Sequence, residues 1–357
     1  MREFESMLSN RKILITGHSG FTGSWLALWL HEIGASVTGV SLVPHTDPSL
    51  FSVLKLKDKM INYFFDIRNF KELDGLIQST QPEIIIHLAA QSLVHDSYIN
   101  PLDTISTNVM GTVNVILAAQ NSASTKCVIA ITSDKVYGSS IGKNIFDENS
   151  LIIGGVDPYS ASKAASEFLI NSLRNTGMSK NSPKILVARG GNIIGGGDWS
   201  RNRLIPDFID AIVNSKELEI RDPSAVRPWQ HVLCLVHGYL KLASYGIDST
   251  RKATSFSWNF GPDSTDHWKV EEVIKRASLD WLTPVLVYNS KSTIIESPAI
   301  YLNSNLAKKH LNWNPPWSIE KSINETINWY KNYYENKTEM YKFSESQLNS
   351  YRKDISE

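Results

Sequence analysis

The chain has 357 residues, of which 42% are hydrophobic, so it is long enough for one large α/β domain with a smaller lobe. Lysine plus arginine and aspartate plus glutamate both number 36, and this balance argues against a nucleic-acid binder, which would carry a basic surplus. The two cysteines, Cys127 and Cys234, provide no zinc spacing and no disulfide framework, and we predict no metal site. The sequence shows no signal peptide and no apolar run of membrane-spanning length, so we predict a cytoplasmic protein.

Short apolar strands alternate with helical stretches along the chain. Residues 12–16 predict a first strand, and the helical spacing of apolar residues from Trp25 to Ile33 predicts the helix that follows. The other predicted elements are strands at 36–42, 61–65, 84–88, 127–132, 184–188 and 255–261, and helices at 69–79, 101–120 and 159–174. Continuous apolar strands between helices predict an α/β fold with a doubly wound, Rossmann-type parallel sheet, covered on both faces.

A glycine-rich turn, Gly17-His18-Ser19-Gly20-Phe21-Thr22-Gly23, follows the first predicted strand and opens the first predicted helix. The free N–H groups at a helix N-terminus bind a pyrophosphate, provided that the backbone can come close to it. We expect Gly17 to permit the tight turn, Gly20 the close approach and Gly23 the packing of the helix. Because the turn lies between a strand and a helix, it predicts a dinucleotide-binding site.

A tyrosine and a lysine lie one helical turn apart in Tyr159-Ser160-Ala161-Ser162-Lys163, with Asp157 and Pro158 as the predicted N-cap and first helical residue. Both side chains should therefore lie on one helix face. The ammonium of Lys163 is expected to lower the pKa of the Tyr159 phenol, so that Tyr159 can take a proton from a substrate hydroxyl near neutral pH.

Further polar groups follow other predicted strands. Ser133, Asp134 and Lys135 come directly after the strand at 127–132, and ligands bind at the carboxyl ends of parallel strands. Arg203 and Arg227 lie downstream, in segments rich in glycine and tryptophan. An arginine side chain grips diphosphate oxygens with a planar fork of donors, so both arginines are candidates for phosphate binding.

With these motifs the sequence resembles the extended short-chain dehydrogenase/reductase family over about residues 11–345. Epimerases of that family have small neutral residues after the serine or threonine that corresponds to Ser133. Its sugar-nucleotide 4,6-dehydratases have an acidic residue there, so Asp134-Lys135 resembles a dehydratase pair. The segments at 188–207 and 227–232 are similar to those of the CDP-glucose 4,6-dehydratases in particular.

The resemblance implies that an NDP-hexose, CDP-glucose first among the candidates, loses water to give the 4-keto-6-deoxy sugar. Tyr159 would take the proton of the 4-hydroxyl, Ser133 would hydrogen-bond that oxygen, and NAD would hold the C4 hydride until it returns to C6. We predict that Asp134 is the protonated acid at the 6-hydroxyl. We predict that Lys135 is the neutral base at C5, its charge disfavoured by burial beside Lys163; the alternative is that it only stabilises the enolate.

The resemblance also implies which residues bind the two ligands. The residues expected to contact NAD are Gly17, His18, Ser19, Gly20, Phe21, Thr22, Gly23, Asp66, Ile67, Leu88, Ala89, Ala90, Thr107, Tyr159 and Lys163. Those expected to contact the sugar nucleotide are Gln91, Ser92, Asn192, Arg203, Arg227, Gln230 and Tyr301. NAD is favoured over NADP because no basic residue occurs at 39–44, after the second predicted strand.

The predicted organisation is a dinucleotide-binding domain of residues 1–190 and 232–262 and a smaller C-terminal sugar-nucleotide-binding lobe of residues 191–231 and 263–345. Residues 346–357 are predicted to be a peripheral tail. The expected partners are the small-molecule substrate and further copies of the chain, as a homodimer or a higher homo-oligomer, with no nucleic acid and no membrane. As implied by the resemblance, the homodimer would form through the helices at 101–120 and 159–174.

Two departures from the family pattern concern the substrate. The stretch 138–158 is shorter than in relatives and has no tryptophan, and His95-Asp96 stands where relatives often have a basic pair. Three other functions stay open: an epimerase of the same fold, a dehydratase for a UDP- or GDP-N-acetylhexosamine, and a non-catalytic dinucleotide sensor. The presence of Ser133, Tyr159 and Lys163 argues against the sensor.

Overall fold

The computed structural model describes residues 1–138, 145–176, 182–250, 255–288, 300–336 and 339–355. Its strands are β1 (Lys12–Thr16), β2 (Ser36–Ser41), β3 (Ile61–Phe64), β4 (Ile84–His87), β5 (Cys127–Ile131), β6 (Ile145–Phe146), β7 (Lys184–Gly190), β8 (Ile193–Ile194), β9 (Glu217–Ile220), β10 (Val226–Pro228), β11 (Gln230–His231), β12 (Ser257–Phe260), β13 (His267–Lys269), β14 (Val285–Tyr288) and β15 (Tyr301–Leu302). Its α-helices are α1 (Glu3–Leu8), α2 (Phe21–Glu32), α3 (Leu50–Val53), α4 (Phe70–Thr80), α5 (Val94–Ile99), α6 (Pro101–Ile105), α7 (Gly111–Asn121), α8 (Pro158–Thr176), α9 (Leu204–Val213), α10 (Val232–Ile247), α11 (Val270–Asp280), α12 (Asn305–Leu311), α13 (Ile319–Lys331) and α14 (Met340–Asp354). Short 3-10 helices occur at Leu56–Asp58, Asp134–Tyr137 and Ser264–Asp266, and π-helical turns at Ser106–Met110 and Asn332–Asn336.

A parallel sheet of seven strands forms the centre of the molecule, in the order β12-β7-β5-β4-β1-β2-β3. The order reverses between β1 and β4, where Thr16 lies beside both Val40 of β2 and His87 of β4. A crevice opens at such a switch point, outside the carboxyl ends of the strands. The seven predicted strands and the doubly wound parallel sheet are confirmed.

Both faces of the sheet are buried, because successive side chains of each strand point to opposite sides. On β1, Ile13 and Ile15 belong to the apolar cluster that contains Trp25 and Trp29, whereas Leu14 belongs to a second cluster on the other face. Helices therefore cover both sides, as the continuous apolar strands indicate.

In the described part of the chain, four small two-stranded sheets accompany the central one: β8 with β11, β9 with β14, β10 with β13 and β6 with β15. Three of them consist of residues beyond 190, and they carry the segments in which Asn192, Arg227 and Gln230 lie. The predicted domain boundaries at 190, 232, 262 and 345 stay a prediction. Within the described ranges, no helix is long and apolar enough to cross a membrane.

The predicted helix at 101–120 is divided into α6 and α7 by a π-helical turn. Asn108 in this turn is buried and accepts a hydrogen bond from the backbone N–H of Gln91 (2.8 Å). Its amide donates to Ser162 Oγ (2.8 Å). The turn thus joins the loop after β4 to the start of α8, which carries the tyrosine and the lysine.

The prediction of a peripheral tail at 346–357 is wrong for the residues up to 355. Helix α14 packs on the core, with Leu348 and Tyr351 fully buried and the Tyr351 ring against Trp29 and Trp317. Arg352 also donates to the buried carboxylate of Glu5 (2.8 Å). The polar composition misleads because the few apolar side chains of this helix share one face.

Candidate active site

The glycine turn has the geometry that its sequence predicts. Gly17 has a φ of +78°, and a Cβ there would lie 2.7 Å from the backbone nitrogen of Ala89. A Cβ on Gly23 would lie 2.1 Å from the Gly17 carbonyl oxygen, so helix α2 can approach β1 only with glycine. Gly20, the N-cap of α2, has only ordinary van der Waals contact around the Cβ position, which leaves room for a ligand at the helix N-terminus.

A cavity of about 570 Å³ extends from this turn across the carboxyl edge of the sheet. Its wall includes almost all of the predicted NAD contacts: Gly17, Ser19, Gly20, Phe21, Thr22, Gly23, Asp66, Ile67, Leu88, Ala89, Ala90, Thr107, Tyr159 and Lys163. At the end of β2, Ser41 donates to Ser19 Oγ (2.8 Å), and no acidic side chain takes that position. Gln91, predicted for the substrate, also lies here; its amide donates to the Leu93 carbonyl and to Thr104.

His18 is the exception among the predicted NAD contacts. Its imidazole is fully buried against Phe51 and Phe64 and does not line the cavity. Gly39 on β2 makes this packing possible, because a Cβ there would lie 2.3 Å from the His18 ring. Burial lowers the pKa of His18 to about 4, so the side chain is neutral at pH 7. Only the backbone of His18 belongs to the glycine turn.

Arg68 and Asp103 line the same cavity and were missed in the sequence. Arg68 binds the Asp66 carboxylate (2.5 Å) and that of Asp103 (2.7 Å), and its hydrogen bonds hold the pKa of Asp66 below its usual value. The available signal was a basic residue four positions after the end of β3, but a surface arginine is common there.

Tyr159 and Lys163 lie at the start of α8, whose N-terminus is capped by Asp157. The Asp157 carboxylate accepts from the Ser160 backbone N–H (2.8 Å) and from its hydroxyl (2.6 Å), as the sequence predicts. Lys163 Nζ donates to the Ile131 carbonyl at the end of β5 (3.1 Å). Burial lowers the pKa of Lys163 to about 8, although Glu167 one turn later acts in the opposite direction.

The pKa of Tyr159 differs from the prediction. Burial raises the pKa of Tyr159 to about 12, and the hydrogen bond with Ser133 and the charge of Arg203 only partly oppose this. Lys163 is not among the groups that act most strongly on the phenol. The prediction weighed one nearby charge and left out desolvation, which is the larger effect here.

Asp134 and Lys135 begin the short 3-10 helix after β5 and differ in burial. Asp134 is 4% exposed and accepts a hydrogen bond from Ser133 Oγ (2.8 Å). Burial raises the pKa of Asp134, against the charges of Lys135 and Arg227, in the direction expected of a protonated acid. Lys135 is only half-buried, and its side chain does not share a cavity wall with Lys163, so the expected burial beside Lys163 is not found.

A second cavity, of about 650 Å³, adjoins the first. It contains Asp134, Lys135, Asn192 and Arg227, together with His95 from one of the sequence departures. Six residues line both cavities: Ser92, Ser133, Tyr159, Gly191, Ile193 and Arg203. Ser133 and Tyr159 therefore lie on the wall at which the two cavities meet.

Gln230 and Tyr301, both predicted to bind the substrate, line neither of these cavities. The Gln230 amide donates to the Phe260 carbonyl (2.9 Å), which joins β11 to β12. The Tyr301 ring stacks on His267, with the ring centroids 4.0 Å apart. The shorter stretch at 138–158 contributes β6, which pairs with β15, while residues 139–144 lie outside the described residues.

Asp207 and Arg221 line the second cavity, and the sequence did not single out either as a functional residue. Burial raises the pKa of Asp207 to about 6, although a hydrogen bond from the Asn202 backbone opposes it. Arg221 follows β9, in which buried Leu218 and Ile220 alternate with exposed glutamates. An arginine directly after a strand with this alternation was the sequence pattern that could have identified Arg221 as a residue of the cavity.

The comparisons with known proteins agree with this arrangement. The family described as GDP-mannose 4,6 dehydratase matches residues 14–326. A CDP-glucose 4,6-dehydratase from Salmonella typhimurium is 38% identical over 315 residues, which is 87% of each chain. The chain belongs to the GDP-mannose 4,6 dehydratase family. The resemblance to nucleotide-sugar dehydratases that the motifs indicate is thereby confirmed.

More distant relatives of this GDP-mannose 4,6 dehydratase family member include a dTDP-D-glucose 4,6-dehydratase from Dictyostelium discoideum, 30% identical over 59% of this chain and 50% of the relative. A dTDP-glucose 4,6-dehydratase from Bacillus anthracis, solved in complex with NAD, superposes with a TM-score of 0.73 at 22% identity, over 93% of this chain and 99% of its own. A UDP-glucose 4-epimerase from Thermotoga maritima gives 0.76 at 22% identity, over 90% and 99%. At this identity the two structures show the shared fold.

Proposed function

We propose that the chain is a nucleotide-sugar 4,6-dehydratase that binds NAD and acts on CDP-glucose. The observation that carries the proposal is the wall on which Ser133 and Tyr159 lie between two cavities. A hydride acceptor in the first cavity and a sugar in the second would meet at these two hydroxyls. The CDP-glucose 4,6-dehydratase at 38% identity supports the choice of substrate.

The first cavity fits NAD. The N-terminus of α2 at Gly20 is open and suits a pyrophosphate. Gly17 and Gly23 lie beside it and leave no space for a side chain. Asp66 and Ile67 would hold the adenosine end, and Tyr159 and Lys163 the end at the shared wall. NAD would accept the hydride from C4 of the sugar and return it at C6.

In the first step, Tyr159 takes the proton of the sugar 4-hydroxyl, and Ser133 hydrogen-bonds the same oxygen. The positive charge of Lys163 stabilises the tyrosinate that this step needs. Arg227 and Asn192 in the second cavity bind the diphosphate. The resulting 4-ketone makes the C5 hydrogen acidic.

In the second step, Asp134 gives a proton to the departing 6-hydroxyl, which leaves as water. Asp134 suits this role because its burial favours the protonated form. Lys135 lies in the same cavity, takes the C5 proton as the water leaves, and returns it to C5 when the hydride adds at C6. Its half-buried position equally allows the alternative, in which its charge stabilises the enolate.

We also propose that two copies of the chain form a homodimer through α6 and α8. These helices pack against each other, and each leaves large apolar side chains exposed, among them Leu102 (80%) and Phe168 (58%). Burying such a patch against a second copy would remove it from water.

The two free, buried cysteines support a reducing compartment such as the cytoplasm.

The test is an assay of CDP-, UDP-, GDP- and dTDP-glucose, each followed by mass spectrometry for loss of water. CDP-glucose is expected to lose water fastest, and Tyr159→Phe is expected to abolish the loss. An unchanged mass with inversion at C4 would instead show an epimerase, and an unchanged sugar with all four substrates would contradict the proposal.

A further inference from the structure

Arg203 occupies a special place between the two cavities. It is the N-cap of α9, and its side chain lines both cavities, as Tyr159 and Ser133 do. One end of its guanidinium donates to Asp198 Oδ2 (3.0 Å), and the other donates to Ser92 Oγ (3.2 Å). Arg227, by contrast, lines only the second cavity. The two arginines, which the sequence treats alike, thus face different surroundings.

The partner of Arg203 is itself held firmly. Asp198 is 4% exposed, and its backbone N–H and carbonyl both hydrogen-bond the Tyr330 hydroxyl of α13. Its other carboxylate oxygen accepts from the Ser200 backbone N–H (3.0 Å). Just before it, Gly196 lies against the Trp329 ring, where a Cβ would be 2.0 Å away. The loop therefore holds the Asp198 carboxylate in place, and this carboxylate binds one end of the Arg203 guanidinium.

Charged groups from several elements act on the pKa of Tyr159. Asp134 after β5 and Asp157 before α8 disfavour its deprotonated form, whereas Arg203 favours it. Lys163 lies one turn further on α8, and the neutral Tyr239 of α10 is close enough to be affected by Tyr159. Arg203 lines both cavities together with Tyr159, whereas its partner Asp198 lines only the second.

We propose that Arg203, fixed by Asp198 and Ser92, is a positioning residue that stabilises the tyrosinate form of Tyr159 during proton removal from the sugar 4-hydroxyl. This inference rests on the proposed function. A buried phenol beside the Asp157 carboxylate gains from a fixed positive charge, in addition to that of Lys163, when it acts as a base, and a charge held in place costs no reorganisation when the proton moves. Arg227 would bind phosphate without this effect.

The first experiment measures the ionisation of Tyr159 without any ligand. The ultraviolet tyrosinate absorbance is titrated in the full chain and in its Tyr159→Phe variant, and the difference gives the Tyr159 transition. Arg203→Gln is expected to move this transition to higher pH. Arg203→Lys keeps the charge and should move it by less than half as much. Arg227→Gln, the matched control, should leave it in place.

The second experiment isolates oxidation at C4 by using CDP-6-deoxyglucose, which has no 6-hydroxyl to lose. The initial rate of nicotinamide reduction is followed against pH. Below the apparent pKa, Arg203→Gln should lower kcat about tenfold with less than a threefold change in KM, because one unit of pKa changes the tyrosinate fraction tenfold. Arg227→Gln should raise KM and keep the pH profile.

The outcomes separate the two proposals. If Arg203→Gln keeps both the Tyr159 transition and the pH profile and only raises KM, then Arg203 is a phosphate-binding residue and the inference is wrong. If the unmodified chain with NAD does not oxidise the analogue, and CDP-glucose does not lose water, the proposed function is wrong. The inference about Arg203, which rests on it, is then wrong as well. Thermal unfolding of each variant checks that its fold is kept.

Discussion

Lys135→Met separates the two chemical steps of the proposed reaction. Methionine has a similar length and lacks the charge, and Lys135 is half-buried in the second cavity, so the packing should change little. Ser133, Tyr159 and Lys163 are retained. The backbone N–H of Lys135, which donates to Ser133 Oγ (3.3 Å), is also unchanged.

Oxidation at C4 should therefore proceed within a few-fold of its normal rate, whereas the loss of water should slow by about 10²–10⁴-fold, the usual contribution of a general base. This factor corresponds to about 3–5 kcal/mol of activation free energy. The variant should accumulate reduced nicotinamide absorbance on addition of CDP-glucose and release little product.

The assay follows that absorbance by stopped flow and measures deuterium at C5 in deuterated water by mass spectrometry. Lys126→Met is the matched control: Lys126 lies before β5, at the opposite edge of the sheet from Lys135, and its replacement should change neither step. Normal C5 exchange in Lys135→Met would refute the base and leave the enolate-stabilising role. Loss of C4 oxidation in Lys135→Met would refute the proposal that Lys135 acts only in the loss of water.

Four further outcomes are expected. Arg227→Ala should raise KM by about one to two decades, since a charge-assisted hydrogen bond contributes about 1.5–3 kcal/mol, and an unchanged KM would remove Arg227 from the site. Calorimetry should show tighter binding of NAD than of NADP. Tighter binding of NADP would contradict the preference for NAD that we infer from the lack of a basic residue at 39–44. Phe168→Glu should convert a dimer into a monomer in light scattering at micromolar concentration, and a monomeric unmodified chain would exclude the proposed interface. Tyr351→Ala should lower the free energy of unfolding by about 3–5 kcal/mol in urea, whereas a change below about 1 kcal/mol would mean that α14 contributes little to the core.

The sequence by itself determined the sheet and the cofactor end of the site. Continuous apolar strands, glycines at 17, 20 and 23, and the spacing of Tyr159 and Lys163 are local patterns, and each has one dominant physical cause. A Cβ at Gly17 or Gly23 would collide with the backbone, and this requirement for glycine can be predicted from the local motif alone. The same holds for Asp157, whose carboxylate caps α8 as predicted.

Only the tertiary structure decided burial and partnership between distant segments. His18 and Gln230 look like ligand contacts by position, but Phe51 and Phe64 enclose the imidazole and the Phe260 carbonyl takes the amide. The pKa of Tyr159 depends on desolvation and on Arg203, 44 positions away in the chain. Desolvation and Coulomb interaction depend on distances in space, and a sequence pattern fixes such distances only within a helix, a strand or a turn.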